Sequence, residues 1–312
     1  MSRVYEALKN AQDQRTSRPP LDSATTVESE ISEAVHNTKT SRRIPEILAA
    51  VRSEASAGKA EAPASQAAKT ATPSGPLQLN DLLQRCTKPI WKPKTQWSVF
   101  SSERPAERQA EQFRTLRAHL YTLRENQRLS TLLLTSTTVG EGKTFVALNL
   151  AQSIARQQGR RALLVDADLR APKLHVALGA PSEPGLSDYL AGEADECSVI
   201  QADTRDELFF IPAGRPCSDP AELLANNQLQ TLFSRIGPLF DWVILDAPPM
   251  LPVSDAGVLA GMCDGVIFIV RAGTAGFDKA QSACSELKQR NLLGVVLNGV
   301  EEQAIYGGYG YY

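Results

Sequence analysis

The hydrophobic positions of this chain are grouped in short runs that are separated by amphipathic stretches. Six runs between residues 132 and 297 are almost uniformly apolar and have the length of buried strands. They are Leu132–Leu134, Arg161–Asp166, Leu208–Pro212, Asp241–Leu245, Gly265–Val270 and Gly294–Leu297. Because uniformly apolar strands that alternate with helices form parallel sheets, the pattern predicts an α/β fold, a mostly parallel sheet with helices on both faces.

Apolar residues at helical spacing predict the elements around these strands. The first helix lies ahead of the sheet, over Pro105–Gln127, and another follows a glycine-rich turn, with Phe145 in its first turn. Further helices are predicted at Gly185–Gly192, Asp219–Ile236 and Asp278–Arg290. Asp219 is expected to cap its helix, since Pro220 stands at the first helical position, where no N–H is needed. Three aromatic residues ahead of the first helix predict a strap that packs on the domain: Trp91, Trp97 and Phe100.

The composition changes on either side of the predicted domain. Residues 1–76 are rich in Ser, Thr, Ala, Pro, Glu and Lys, and no aromatic residue occurs between Tyr5 and Trp91. Such a segment buries too little apolar surface to offset its ordering entropy, so we expect a disordered arm with one short helix over residues 2–14. The chain therefore divides into this arm, a folded domain over 77–300 and a flexible tail over 301–312.

Charge and cysteine usage exclude several classes of function. The chain has 33 Lys and Arg against 35 Asp and Glu, and a net charge of −2 gives no case for binding nucleic acid. No apolar run approaches the about 18 residues of a membrane-spanning helix, and the first residues lack the apolar core of a secretory signal. Five cysteines without CxxC spacing indicate a reducing, cytoplasmic location and small buried thiols: Cys86, Cys197, Cys217, Cys263 and Cys284.

The stretch Leu132–Leu150 has the layout of a phosphate-binding loop: a strand, a glycine-rich turn, Gly-Lys-Thr and a helix. Gly140 and Gly142 let a phosphate chain approach backbone N–H groups, and they permit positive φ. The ammonium group of Lys143 suits phosphate oxygens, and the hydroxyl of Thr144 suits Mg²⁺. The strict pattern has another glycine five residues before Gly142, and this chain has threonine there.

Acidic residues end two of the predicted strands. Asp166 and Asp168 close the strand that begins at Arg161, and Asp246 follows the strand Asp241–Leu245. The carboxyl ends of parallel strands meet at one edge of a sheet, where the glycine-rich turn also lies. Carboxylates at this edge suit Mg²⁺ ligation and the acceptance of a proton, although the pair Asp166 and Asp168 alone is more typical of a solvent-exposed turn.

Two further groups of residues lie outside this candidate site. Glu111, Arg114 and Arg117 are about one turn apart and share a helix face, for which a solvated charged surface is the simplest interpretation. The last seven residues hold four of the seven tyrosines, with glycines that keep the segment mobile. They are Tyr306, Tyr309, Tyr311 and Tyr312. Exposed tyrosine clusters indicate recognition by another molecule.

In their order along the chain, these motifs resemble those of the bacterial tyrosine kinases, the autokinases of capsule and exopolysaccharide synthesis. The resemblance extends from about residue 101 to residue 312. TSTTVGEGKTFVALNLA resembles the Walker A motif of this family, VDADLRAPKLH its modified second motif and VILDAPPMLPVSDA its Walker B motif. EQFRTLR matches its oligomerisation motif, and the tyrosine-rich tail resembles its autophosphorylation cluster.

The resemblance implies a P-loop ATPase fold of the deviant Walker type, as in MinD and ParA, and an ATP- and Mg²⁺-dependent protein-tyrosine autokinase. Lys143, Asp166 and Asp168 are the implied catalytic residues, with Asp166 as the base, although spacing alone does not separate Asp166 from Asp168. The implied Mg²⁺ ligands are Thr144, Asp168 and Asp246. The implied nucleotide contacts are Thr138, Val139, Gly140, Glu141, Gly142, Lys143, Thr144, Phe145 and Asn298.

The resemblance also implies partners. Glu111, Arg114 and Arg117 become contacts of a homo-oligomeric ring, and the tail tyrosines become autophosphorylation sites. A membrane-embedded polysaccharide co-polymerase acts as the activator, so the chain is expected to be cytoplasmic and peripheral at the inner face of the membrane. A cognate tyrosine phosphatase completes the implied set, and nucleic acid is not part of it.

A non-kinase ATPase is the alternative, either a positioning switch of the ParA and MinD type or a docking ATPase. Partitioning ATPases carry a second lysine at the position of Thr138, so threonine there, together with the tyrosine tail, favours the kinase. A scaffold without activity is the least favoured interpretation, because every phosphate and metal position of the motifs is filled.

Overall fold

We describe a computed structural model of the chain, which covers residues 77–100, 107–203, 207–251, 253–273 and 276–300. The predicted arm, with its short helix, and the predicted tail lie outside the described residues, as does the start of the helix predicted at Pro105. None of the helices in the described ranges is both long and apolar enough to cross a membrane.

Within the described ranges, seven strands form one sheet, and six of them correspond to the predicted apolar runs. They are β1 (Thr131–Ser136), β2 (Ala162–Asp166), β3 (Gln201–Ala202), β4 (Leu208–Ile211), β5 (Trp242–Asp246), β6 (Gly265–Arg271) and β7 (Leu292–Asn298). Their order is β3-β4-β2-β5-β1-β6-β7, and every neighbouring pair is parallel except β3 and β4. The predicted mostly parallel sheet is therefore confirmed. Strand β3 was not predicted, because two residues are too few to show a hydrophobic pattern.

Nine α-helices surround this sheet in the described part of the chain. They are α1 (Leu79–Arg85), α2 (Glu107–Asn126), α3 (Lys143–Ala155), α4 (Leu174–Leu178), α5 (Leu186–Leu190), α6 (Pro220–Ala225), α7 (Gln228–Ile236), α8 (Asp255–Ala260) and α9 (Phe277–Leu287). Two 3₁₀ turns, Gly237–Leu239 and Lys288–Arg290, extend α7 and α9.

The prediction of one helix over Asp219–Ile236 is wrong, because the chain leaves helical geometry at Asn226, where ψ is 156°. The side-chain nitrogen of Asn226 donates to the carbonyl of Leu190, and its side-chain oxygen accepts from the N–H of Gln228, a group that a continuous helix would pair with its own backbone. The predicted cap is confirmed, since Oδ1 of Asp219 accepts from the N–H of Glu222 at 3.2 Å.

The core has one part on each face of the sheet, because alternate residues of a strand point to opposite faces. Leu132 and Leu134 of β1 face a layer formed by α2, α3 and α4, whereas Leu133 faces the layer of α5 to α9. The central strands β1, β2 and β5 are buried along their whole length, which explains why they are uniformly apolar in sequence.

The segment ahead of α2 packs on the domain as the predicted strap. Trp91 and Phe100 are buried, and the indole N–H of Trp91 donates to the side chain of Gln201 at 3.2 Å. The N–H of Val99 donates to Oδ1 of Asn149 in α3 at 2.8 Å. These contacts tie the strap both to edge strand β3 and to the helix that follows the glycine-rich turn.

The five cysteines all lie in the described ranges and are free thiols. Cys86 and Cys197 are buried and the other three are half-buried, so the expectation of small packed thiols holds fully only for the first two. Burial raises the pKa of Cys197 to about 11, which keeps this thiol protonated and unreactive.

Candidate active site

The glycine-rich turn between β1 and α3 has the backbone of a phosphate-binding loop. Gly140 and Gly142 have φ values of 90° and 94°, a region that side chains disfavour. A Cβ atom at Gly142 would lie 2.0 Å from the side-chain nitrogen of Asn298, so a larger residue there would also displace that side chain. The turn leads directly into Lys143 and Thr144, the first two residues of α3.

Two side chains of the turn point inward instead of toward solvent. The hydroxyl of Thr137 is buried and accepts or donates no hydrogen bond. The carboxylate of Glu141 is also buried and accepts from the N–H of Thr138 at 2.7 Å. Glu141 therefore fixes the shape of the turn from inside, a role that the sequence motif does not reveal.

The ends of β6 and β7 hold the turn from outside. The side-chain nitrogen of Asn298 donates to the carbonyl of Glu141 at 2.9 Å, and a guanidinium nitrogen of Arg271 donates to the carbonyl of Gly140 at 3.3 Å. The sequence-based interpretation names Asn298 as a nucleotide contact, and the structure brings it to the turn. Arg271 is a neighbour that no motif points to.

The other predicted nucleotide residues differ in exposure. Val139 is 71% exposed at the tip of the turn. The ring of Phe145 packs edge-on against Phe113 of α2, with a centroid distance of 6.0 Å. Only the main chain of Phe145 therefore remains for a nucleotide, because its side chain belongs to the helix contact.

Lys143 is the cation of the site. Its Nζ atom donates to Oδ2 of Asp168 at 2.9 Å, and the two side chains are only 12% and 6% exposed. Burial by itself would lower the pKa of Lys143, but the charges of Asp246 and Asp168 and the bond to Asp168 outweigh it, and the pKa is raised. Lys143 therefore stays protonated among three carboxylates, of which Asp166 is the third.

Asp166 and Asp246 lie side by side at the carboxyl ends of β2 and β5, where they are partners in the parallel register. Both side chains are buried. Burial raises the pKa of Asp166 well above its usual value, and the nearby charge of Asp246 raises it further. Burial also raises the pKa of Asp246, to about 6, although Lys143 and a hydrogen bond from Thr144 oppose the shift.

These carboxylates retain acceptor capacity. Oδ2 of Asp166 accepts from the N–H groups of Lys173 and Leu174, at 3.2 and 3.0 Å, but Oδ1 has no partner. Oδ1 of Asp246 also has none. Unpaired buried oxygens are costly, and the free oxygen of Asp246, whose carboxylate bonds to the hydroxyl of Thr144, fits a hard cation.

The described residues contain no cluster of three or more His, Cys, Asp and Glu side chains that would hold a metal ion by themselves. Mg²⁺ does not require such a cluster, because it is commonly bound through one or two carboxylates together with phosphates of the substrate. The residues present therefore fit Mg²⁺ as a companion of a nucleotide.

The predicted oligomerisation residues occupy α2, away from the acidic cluster in sequence. Arg114 pairs with Glu111 of the same helix at 2.9 Å, and both side chains are exposed. A guanidinium nitrogen of Arg117 donates instead to the carbonyl of Ser153, near the end of α3. The three residues thus divide into an exposed pair and a half-buried contact between two helices. The four tail tyrosines lie outside the described residues.

Comparison with known proteins agrees with this geometry. A model of the CobQ/CobB/MinD/ParA nucleotide binding domain matches residues 132–307. The tyrosine-protein kinase YwqD of Bacillus subtilis is 32% identical over 221 residues, which are 70% of this chain and 92% of that protein. The tyrosine-protein kinase CpsD of Streptococcus agalactiae is 34% identical over 219 residues, which are 69% and 94% of the two chains.

A solved structure, the kinase domain of the Escherichia coli tyrosine kinase ETK, superposes with a TM-score of 0.63 at 32% identity, over 73% of this chain and 89% of that one. These matches confirm the resemblance and the fold expected from the motifs. The chain belongs to the bacterial tyrosine kinase family, which is built on the CobQ/CobB/MinD/ParA nucleotide-binding domain.

Proposed function

We propose that this protein is an ATP- and Mg²⁺-dependent protein-tyrosine autokinase that regulates capsule or exopolysaccharide synthesis, chain length or export. One observation carries the proposal: a phosphate-binding turn, a buried ammonium group and three buried carboxylates meet at the carboxyl edge of one sheet. The relatives named as tyrosine-protein kinases supply the reaction class, because a P-loop by itself is shared by many ATPases.

ATP binding rests on the turn and on Lys143. Backbone N–H groups of the turn from Val139 to Phe145 would surround the phosphates, and the N-terminus of α3 adds its positive end. The ammonium group of Lys143 moves from Asp168 toward the phosphate chain and stabilises charge on the transferring phosphoryl group. Asn298 is positioned to contact the nucleotide from the far side of the turn.

Thr144, Asp168 and Asp246 are the residues that would hold Mg²⁺. The ion neutralises phosphate charge when it is bound. The hydroxyl of Thr144 already lies by Asp246, and the free Oδ1 atom of Asp246 offers an acceptor. Asp168 becomes available as an acceptor when Lys143 turns to the phosphates, so nucleotide and metal are expected to bind together.

Asp166 is the proposed base for the tyrosine hydroxyl. Its raised pKa makes the carboxylate a better proton acceptor than an exposed aspartate, and Oδ1 is free to receive the proton. The backbone N–H groups of Lys173 and Leu174 hold the other oxygen and orient the group. Asp168 remains the alternative base, although its bond to Lys143 favours a metal-binding role.

The substrate is proposed to be the tail of a neighbouring copy. Each tail presents tyrosines to the site of the next subunit of a ring, and the ring is held in part by Glu111, Arg114 and Arg117. The phosphorylated tyrosines would be Tyr306, Tyr309, Tyr311 and Tyr312. A membrane-embedded co-polymerase would recruit and activate the ring at the inner face of the membrane, and a tyrosine phosphatase would reverse the modification.

Transfer of the γ-phosphoryl group of ATP to the protein tests this proposal. With Mg²⁺, labelled phosphate should accumulate on tyrosine, and a chelator should prevent it. A non-kinase ATPase of the positioning type would release inorganic phosphate without labelling the protein. Hydrolysis without phosphotyrosine would therefore favour that alternative.

A further inference from the structure

A bidentate ion pair joins the two loops that carry the acidic residues of the site. Nε of Arg170 donates to Oδ2 of Asp255 at 2.7 Å, and Nη2 donates to Oδ1 at 3.1 Å. The side chain of Asp255 is 1% exposed and that of Arg170 is 40% exposed. Two parallel bonds between planar groups fix orientation as well as distance, which a lysine cannot do.

On the Arg170 side, the ion pair is attached to the turn that Asp168 closes. Oδ1 of Asp168 accepts from the N–H of Ala171 at 3.1 Å, so the side chain of Asp168 closes the turn that contains Arg170. This bond links the position of the Arg170 backbone to that of the Asp168 carboxylate. One residue before Asp168, the N–H of Ala167 donates to the carbonyl of Asp246 at the end of β5 at 2.9 Å.

On the Asp255 side, the ion pair is attached to the loop between β5 and α8, and this loop is bonded to the end of β1, which leads into the phosphate-binding turn. The hydroxyl of Thr135 donates to the carbonyl of Pro248 at 2.7 Å, and the N–H of Met250 donates to the carbonyl of Ser136 at 2.8 Å. Asp255 begins α8 at the end of this loop. The ion pair thus joins the turn of Asp168 to the loop after β5, which begins at Asp246 and is bonded to the strand ahead of the glycine-rich turn.

Resting on the proposed function, we propose that Arg170 and Asp255 are positioning residues that set the spacing of Asp168 from Asp246 for Mg²⁺ binding. Neither residue needs to contact nucleotide or metal. Asp219 and Cys217 also act on the guanidinium electrostatically, but the two direct bonds go to Asp255. Asp255 is therefore the partner that decides the orientation of Arg170.

The test measures ADP affinity by calorimetry, with Mg²⁺ and with a chelator, in wild-type protein and in Arg170→Lys and Asp255→Asn. In wild-type protein, Mg²⁺ should raise the affinity for ADP. In both variants this increase should be at least about tenfold smaller, as for other outer-shell partners of a metal site. Affinity in chelator should be unchanged, since the turn and Lys143 remain. A purely structural contact would weaken binding equally in both conditions.

Arg160→Lys is the matched control. Arg160 pairs with Asp241 at 2.7 Å and is 45% exposed, but this pair lies ahead of β2 and β5, at the amino edge of the sheet. The control should keep the full gain from Mg²⁺, and thermal melting should show all variants folded.

Three outcomes would overturn the proposal. If Arg170→Lys and Asp255→Asn gain as much affinity from Mg²⁺ as wild type does, the positioning role is wrong and the proposed function stands. If neither variant folds, the pair serves folding and not the metal site. If wild-type protein itself gains no affinity from Mg²⁺, the proposed function fails first.

Discussion

Nζ of Lys143 lies 2.9 Å from Oδ2 of Asp168, where the first turn of α3 meets the loop after β2. This contact joins the glycine-rich turn to the acidic residues that are proposed to bind metal. Because Asp166 and Asp246 also act on Lys143 electrostatically, the ammonium group serves as the shared counter-charge of the acidic cluster. The same group that would stabilise a transferring phosphoryl group therefore stabilises the site itself.

Lys143→Met is expected to abolish ATP-dependent phosphotyrosine formation, with a loss of at least about 100-fold, as for other removed electrostatic stabilisers. The fold should persist, because the carboxylates left without a counter-charge can take up protons. Immunoblotting for phosphotyrosine and circular dichroism check the two parts. Lys92→Met is a control on an exposed lysine, and a Lys143 variant with near wild-type labelling would contradict the assignment.

Asp166→Asn and Asp246→Asn should fail in different ways. Loss of Asp246 should weaken the binding of Mg·ADP, because this carboxylate has a free oxygen beside Thr144. Loss of Asp166 should chiefly lower turnover and leave nucleotide affinity largely intact, because a base acts on the tyrosine. Calorimetry and initial rates separate the two effects. Equal losses of affinity in the two variants would refute this division of roles.

Asp246→Asn should also make the metal-free protein more stable near neutral pH. The pKa of Asp246 is raised to about 6 in the folded protein, so the folded state binds more protons than the unfolded state between the two pKa values. Stability therefore falls as the pH rises through this window, and the cost is complete above it. At about pH 7.5 the asparagine variant should melt higher than wild type, by roughly 2–4 °C per kcal/mol recovered. At about pH 4 the two proteins should melt at the same temperature.

The control for this prediction is Asp264→Asn, for which we expect the opposite change in melting temperature. Burial would raise the pKa of Asp264, but hydrogen bonds from Ser130 and Thr131 outweigh it and lower the pKa. This carboxylate stabilises the folded state above the usual aspartate pKa and loses that effect in acid. Asp264→Asn should therefore melt lower than wild type at neutral pH. The account of the acidic cluster would be contradicted if Asp246→Asn did the same.

Arg114→Ala and Arg117→Ala should separate assembly from folding. Arg114 is exposed and pairs only with Glu111 of its own helix among the described contacts, an arrangement worth about 0–1 kcal/mol. Its loss should leave the melting temperature unchanged and shift the ring toward monomers in light scattering. Arg117 contacts the carbonyl of Ser153, so its loss should lower the melting temperature as well. An unchanged mass for both variants would argue against a ring interface on this face.

The sequence predicts most of this sheet because its strands are buried on both faces. Uniformly apolar runs such as Leu163–Val165 predict parallel strands, and the aspartates that end two of the strands, Asp166 and Asp246, mark the carboxyl edge of the sheet. The structure brings Lys143 together with Asp166, Asp168 and Asp246, and their roles remain predictions.

Features that depend on single side-chain contacts cannot be predicted from the sequence pattern. The break at Asn226 follows from hydrogen bonds with Leu190 and Gln228, which helical periodicity does not contain. Glu141 looks like a nucleotide contact within the motif, yet its carboxylate turns inward to a backbone N–H. The link between Arg170 and Asp255 spans 85 positions, so no local pattern announces it.

Mass spectrometry of the purified protein after incubation with Mg·ATP, mapped residue by residue, tests the central claim most directly. The account predicts phosphate on Tyr306, Tyr309, Tyr311 and Tyr312, time-dependent in wild type and absent in Lys143→Met. The remaining tyrosines should stay unmodified. ATP hydrolysis without phosphotyrosine, or equal labelling in Lys143→Met, would contradict the assignment of this chain as a tyrosine autokinase.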